Sequence, residues 1–326
     1  MSFLRVRNLV TELRDNGGYT RVVRDVSLDV ERGEFVGLVG ESGSGKSMTA
    51  RSIVRLLPPG AKSRGDVVLD GTSILDLAPS QLRDVRVHRM SMIFQDPRAS
   101  IDPLYRCGDH LFDALHNLMG MKRVAARRRA LELLTDVGIA DPQWVYRSYP
   151  DELSGGMLQR VMIAGALASE AGFLIADEPT TALDVTIQAE IMAILEGLRK
   201  EKQLATLFIT HDLELASMIC DRILVMYAGL IVEGQTTAGI FTTPQHPYTA
   251  GLLRARPHLE HRRDRLEVIP GRPPRADEVP DGCPFSPRCA FIKPECTLRP
   301  PAVNEVSPGR FSACWRSAEL ADRLTP

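Results

Sequence analysis

Gly40-Glu-Ser-Gly-Ser-Gly-Lys46-Ser47 leaves this chain few folds to choose from. It fits the pattern G-x-x-x-x-G-K-[ST], and its flanks suit it. Before it, Glu34-Phe-Val-Gly-Leu-Val39 reads as a short apolar strand. After it, Met48 to Leu57 carries apolar residues at helical spacing and is stopped by Pro58-Pro59. A strand, a glycine turn and a helix start make an anion site, because free backbone N–H groups and the positive helix end point at one spot. Gly40, Ser42, Gly43, Ser44, Gly45, Lys46, Ser47 and Met48 are expected to hold the phosphates of a nucleotide. Lys46 suits the outer phosphates, and the Ser47 hydroxyl suits Mg2+.

Around this anchor the pattern alternates. Strands are expected at Phe3–Arg7, Val22–Val30, Asp66–Asp70, Ser91–Phe94, Gly172–Ala176, Ala205–Ile209 and Arg222–Met226. Helices are expected at Pro79–Val87, Leu111–Met121, Arg123–Val137 and Thr186–Lys200. Strands alternating with helices imply a mainly parallel sheet covered on both faces. Strand signals fade between about residues 98 and 170, which marks an inserted helical subdomain. After about residue 256 the composition shifts. Basic Arg262, Arg263 and Arg265, read as a solvated face, precede a Pro-rich stretch expected to carry little regular structure.

Bulk properties exclude more than they assign. A formal net charge of −1 with 25% charged residues gives no reason to expect nucleic acid as a partner. No apolar run approaches a membrane span, and the N-terminus lacks the apolar core of a secretory signal. A cytoplasmic protein is expected, with any membrane role supplied by a partner. Six cysteines in such a compartment do not imply disulfides. Cys107 and Cys220 are expected to be small buried hydrophobes.

A second element supplies carboxylates. Phe173-Leu-Ile-Ala-Asp177-Glu178 is a buried strand delivering acids to its C-terminal end. Asp177 suits Mg2+, and Glu178, just off the strand, suits a base that polarises water against the outermost phosphate. A third element is Leu153-Ser154-Gly155-Gly156-Met157-Leu158-Gln159-Arg160, ahead of the Ala-rich helical run Val161–Ala168. Ser154, Gly155 and Gly156 at a helix N-terminus make another anion site. One nucleotide in one subunit does not need two. The economical explanation is a pair of facing subunits, each offering its Ser-Gly-Gly turn to the nucleotide held by the other.

Placed between the two nucleotide motifs, L-S-G-G-x-x-Q-R resembles the signature of the ATP-binding cassette family. The resemblance covers residues 1 to about 255. It implies an α/β fold of the P-loop NTPase type. The parts would be a mainly parallel sheet, an antiparallel β subdomain, an inserted α-helical subdomain and a small irregular Cys-containing C-terminal module. It implies ATP as ligand, with Mg2+ near Ser47, Gln95 and Asp177. Glu178 and His211 would be catalytic, His211 as the switch histidine after its strand. Gln95 would sense the γ-phosphate and touch a membrane partner. Ser154, Gly155, Gly156 and Gln159 would belong to the signature, and Ala182-Leu-Asp184 to the loop crossing the dimer interface. The family stacks adenine on an aromatic residue before the second strand; Tyr19 is the aromatic there, unless it is an exposed turn tyrosine after Gly17-Gly18.

Four further stretches resemble the ATPases of bacterial oligopeptide, dipeptide and nickel importers. They are Phe94-Gln-Asp-Pro-Arg-Ala-Ser-Ile-Asp-Pro103, His246-Pro-Tyr-Thr-Ala-Gly-Leu-Leu253, Ile269-Pro-Gly-Arg-Pro273 and Gly282-Cys-Pro-Phe-Ser-Pro-Arg-Cys289. The implied activity is ATP hydrolysis powering peptide uptake, with nickel or another solute, or a non-transport cassette ATPase, as alternatives. The implied partners are a second ATPase subunit (by this branch a paralogue), two transmembrane permeases and an extracytoplasmic solute-binding protein. The protein would then sit on the cytoplasmic face of the membrane. The ATPase domain would span 1–255, and the extension 256–326. Cys283, Cys289, Cys296 and Cys314, with gaps of five, six and seventeen residues, read as a soft-metal site. Four thiolates can ligate zinc or an iron–sulfur cluster, or stand unligated. The resemblance favours a [4Fe–4S] cluster.

Overall fold

A computed structural model describes residues 2–15, 17–181, 183–255 and 268–325. Arg262, Arg263, Arg265 and Ala182 lie outside them. The chain divides into two compact units. One comprises Met1–Leu4, Val30–Glu34 and Leu69–Ile209; the other comprises Arg5–Asp29, Phe35–Val68 and Thr210–Pro326.

In the first unit the centre is the strand Phe173–Asp177, buried at every position. It pairs in parallel with Met90–Ile93 on one side and Ala205–Thr210 on the other. The registers run Met90↔Phe173 to Ile93↔Ala176, and Phe173↔Ala205 to Asp177↔Ile209. Such a strand meets no water on either face, which is why Phe173–Ala176 is unbroken apolar rather than alternating. Between residues 98 and 170 the described residues contain helices and no strand. The helices Arg123–Asp136 and Gly155–Ala168 pack together, and Ala126, Ala130, Leu133 and Leu134 of one and Leu158, Val161 and Ala164 of the other are buried. The helix expected over Leu111–Met121 is instead Cys107–Asp113 followed by a π-helical turn, Ala114–Leu118.

The second unit holds a sheet in the spatial order Gly18–Val30, Leu4–Asp15, Lys62–Leu69. It also holds the phosphate-loop strand Phe35–Val39, wholly buried and parallel to Arg222–Tyr227. Arg222–Tyr227 turns through Ala228 and Gly229, both at positive φ, into the antiparallel strand Leu230–Thr236. That strand carries Glu233, which is fully buried. The Gln245 and His246 N–H groups donate to its two oxygens at 2.7 and 2.9 Å, tying the strand to the start of the helix Pro247–Arg254. Burial nevertheless pushes its carboxyl up to about 7.

The C-terminal stretch is more regular than its proline content suggests. Arg310–Ser312 pairs antiparallel with Leu230–Thr236 and with Asn304–Ser307. The last pair turns at Pro308–Gly309, where Gly309 takes φ 72. A helix, Ser317–Leu324, buries Leu320 and Leu324 against Ala250 and Phe291. From 268 to 303 the regular pieces among the described residues are the short turns Ser286–Arg288 and Glu295–Leu298; the departure from the expectation is confined to 304–324, where short runs gain backbone partners from an existing strand, which composition cannot reveal.

Candidate nucleotide site

The phosphate loop is built against the body of its own unit. A Cβ added at Gly40 would lie 2.1 Å from the Met226 carbonyl oxygen, so only hydrogen fits there. The Ser44 N–H donates to Glu41 O at 3.2 Å, and the Gly229 N–H donates to Ser44 O at 2.8 Å. The helix Lys46–Ile53 starts after Gly45, its N-cap, at φ 105. Lys46 is 4% exposed, and its ammonium donates to Gly40 O at 2.7 Å and Glu41 O at 3.1 Å. The charge is thus folded back over the loop it would share with a phosphate. Ser42 and Gly43 face solvent, Ser47 and Met48 are half-buried, and Ser44 Oγ is buried without a hydrogen bond among the described residues.

Two other expected residues lie in the same unit. His211 is exposed, directly after the strand Ala205–Thr210 and ahead of the short helix Leu213–Ile219, which Asp212 caps. Tyr19 is 45% exposed on the strand Gly18–Val30, with the Lys62 ammonium 4.1 Å above its ring.

The first unit carries the carboxylates. Asp177 ends its strand and is 1% exposed. Glu178 follows in the left-handed region, φ 47, held there by its N–H donating to Ile209 O at 2.9 Å. A side chain larger than glycine takes this conformation at a cost of about 1–3 kcal/mol, a strain concentrated at working sites. Its Oε2 accepts from Gln95 Nε2 at 3.0 Å and from Thr181 Oγ1 at 2.8 Å. Gln95 and Glu178 are therefore brought together as the end of one strand meets the end of its neighbour. Thr181 had no part in the sequence reading; its place in Pro179-Thr-Thr181, one turn after Glu178, was the available signal.

In the same unit Ser154 is the exposed N-cap of the helix Gly155–Ala168, accepting from the Met157 N–H at 3.3 Å. Gly155 is exposed too, while Gly156 is buried against Ile187. Gln159 is 3% exposed, and its Nε2 has no hydrogen-bond partner among the described residues. Asp184, from the expected interface loop, caps the helix Val185–Lys202 through the Ile187 N–H at 3.0 Å.

Cys283, Cys289, Cys296 and Cys314 are free, half-buried and line one cavity with His246, Phe285 and Phe291. The Cys283 N–H donates to Cys296 O at 2.7 Å, closing the turn that gathers them. Burial pushes the Cys283 thiol up to about 11 and that of Cys314 up to about 12, and raises that of Cys289. Among the described residues no three His, Cys, Asp or Glu side chains are placed to share one metal ion. Cys107 and Cys220 are buried, 0% and 6% exposed, as expected of small hydrophobes.

Known proteins show the same parts. Residues 23–181 match the model of the ABC transporter family, and 232–296 that of the oligopeptide/dipeptide transporter C-terminal region. The chain is 44% identical over 322 residues to a probable peptide ABC transporter ATP-binding protein of Sinorhizobium fredii, covering 98% of this chain and 96% of that one. It is 41% identical over 318 residues to the oligopeptide transport ATP-binding protein OppD of Escherichia coli, covering 98% and 94%. A dimeric ATP-binding cassette in a post-hydrolysis state, bound to ADP and phosphate, superposes with a TM-score of 0.65 at 29% identity, covering 72% of this chain and 98% of that one. The cbiO1 protein of Clostridium perfringens, part of an ABC transporter complex, gives 0.62 at 27% identity, covering 74% and 90%. No helix among the described residues is long and apolar enough to cross a membrane. With the phosphate loop, strand-end carboxylates and Ser-Gly-Gly helix start all in place, and similarity running almost end to end, this chain belongs to the ATP-binding cassette family, in the branch of the oligopeptide transport ATP-binding proteins.

Proposed function

We propose that this chain hydrolyses ATP to drive an importer of peptides. The observation that carries the catalytic part is Glu178: a carboxylate in a strained backbone conformation, aimed by Gln95 and Thr181. Such an acid can orient and deprotonate water, and a base fixed by two donors loses little freedom in doing so. The loop from Gly40 to Met48 and the Lys46 ammonium would take the phosphates, with Ser47, Gln95 and Asp177 around Mg2+ and His211 at the γ-phosphate. Tyr19 would stack on adenine once Lys62 yields the ring face. The exposed Ser154–Gly155 turn supports the reading that a second cassette, a paralogue in this branch, is sealed over by the signature of this one, with Gln159 beneath it. ATP drives transport only if it favours the closed pair over the open one.

The peptide substrate rests on similarity to peptide transport proteins across 98% of the chain. Two permeases and an extracytoplasmic binding protein would complete the importer, with this subunit at the cytoplasmic face of the membrane. Residues 1–255 would form the ATPase domain and 256–326 the extension. In that extension the resemblance to the importer ATPases favours a [4Fe–4S] cluster on the four thiols that line one cavity, with zinc or unligated thiols as the alternatives. When bound, such a cluster would cross-link a proline-rich stretch with little core of its own.

Glu178→Gln tests the central claim. It is expected to bind ATP with unchanged affinity and to lose turnover by at least about 100-fold, measured by titration and phosphate release with the permeases reconstituted. Normal hydrolysis by that variant would remove Glu178 as the base. Peptide uptake into the same vesicles should stop with it.

A further inference from the structure

We propose that Arg288, in the four-cysteine module, is a positioning residue for the phosphate loop, acting through Glu41. The inference rests on reading Gly40–Met48 as the ATP site.

Glu41 occupies one of the four unrestricted positions of the loop pattern. Nothing in the pattern asks for an acid there, and an unpaired carboxylate beside a triphosphate is electrostatically adverse. Arg288 answers that charge. Its Nη1 donates to Glu41 Oε2 at 2.6 Å and its Nη2 to Oε1 at 3.1 Å, a two-pronged, charge-assisted pair. The guanidinium is held in turn. Its Nε donates to Pro270 O at 2.9 Å, Nη1 also reaches Tyr227 Oη at 3.4 Å, and the side chain is only 6% exposed.

The backbone of Glu41 is held as well. Its N–H donates to Tyr248 Oη at 2.9 Å, and its carbonyl accepts from Ser44 N and Lys46 Nζ. Tyr248 is fully buried, its ring 4.6 Å from Tyr227 and 5.4 Å from Phe285. Phe285 and Arg288 both lie between Cys283 and Cys289. The segment that gathers the cysteines is thus the segment that fixes the first residue after Gly40.

The consequence is preorganisation. A loop already in its binding conformation spends less conformational entropy when the phosphates arrive. The benefit applies equally to ground state and transition state, so it appears in affinity rather than in turnover at saturation. Lysine at 288 would keep the charge but lose the fork.

The test measures equilibrium binding of a fluorescent ATP analogue and the ATPase KM and kcat for the full chain with Arg288→Ala, Arg288→Lys, Glu41→Gln and the double variant Arg288→Ala/Glu41→Gln. Unfolding temperatures without nucleotide accompany each. Arg288→Ala should weaken binding by about tenfold or more, since it strands a carboxylate, with kcat within about twofold of wild type. Arg288→Lys should fall between. Adding Glu41→Gln to Arg288→Ala should recover at least about threefold in affinity, because the stranded charge is gone. Unchanged affinity in Arg288→Ala, or a double variant in which the two losses simply add, overturns the proposal. Should Arg288→Ala unfold, wild-type affinity in Arg288→Lys and in Glu41→Gln overturns it equally. A wild-type chain that binds no ATP would instead sink the reading of the site itself.

Discussion

Two glycine turns introduce two helices in this protein, and they are built in opposite ways. The turn at Gly40–Gly45 is pressed into its own unit. A methyl group at Gly40 would strike a backbone carbonyl, Ser44 is held on both sides, and the lysine at its end is buried. The turn at Ser154–Gly156 is presented outward. Ser154 and Gly155 are exposed, and among the described residues a Cβ on Gly155 would meet nothing nearer than Leu183 at 3.8 Å. Both offer N–H groups at a helix start, so local chemistry alone does not separate them. Their surroundings do: one is packed into its own unit, the other is exposed.

Gly40→Ala is the harshest challenge to that contrast. The Met226 carbonyl cannot yield without moving its strand, so ATP binding should be lost and the unfolding temperature should fall, at an overpacking cost of about 1–3 kcal/mol. Calorimetric titration and thermal unfolding read both; a variant that binds normally would mean the loop is not rigid. Ser154→Ala should behave differently. Loss of the cap costs about 1 kcal/mol of helix stability. ATP binding by the isolated chain should stay unchanged, while turnover in the assembled importer drops by about tenfold or more if this turn seals a partner's nucleotide. Binding lost by the isolated subunit would show that both turns serve one nucleotide in one chain. The mildest change is Gly43→Ala. No atom lies within 4 Å of its Cβ direction, but its φ is 81, so the penalty is backbone strain of about 1 kcal/mol without a clash. A weakening of ATP binding by roughly fivefold is expected. A loss as complete as that of Gly40→Ala would show that strain, not contact, governs this loop.

Much of this was legible beforehand where a local pattern carries its own geometry. The strands Phe35–Val39 and Phe173–Asp177 announced themselves through the apolar runs Phe35–Val39 and Phe173–Ala176, because strands covered on both faces have no polar side to show. The helix start read at Ser154–Gly156 lies there in the structure, with Ser154 as the cap and Gly155 as the first helical residue, because the capping hydroxyl marks the boundary locally. The helix Pro247–Arg254 was not foreseen. Its proline sits at the permitted first turn, but its cap is a buried histidine whose ring nitrogen accepts from the Tyr248 N–H. The strands Asn304–Ser307 and Arg310–Ser312 were missed because their stability comes from the neighbour they join.

From its order of residues alone, the chain declares a phosphate loop, strand-end acids and a Ser-Gly-Gly helix start. Each is a short run whose backbone conformation and chemistry arise together within a few residues. Folding decided the rest. Glu41 and Arg288 are 247 positions apart, and no spacing rule links them. Their pairing exists because strands, an aromatic seam and a cysteine-lined turn converge in one unit. Contacts of that kind depend on how distant surfaces pack, and packing becomes definite only once the whole unit has closed.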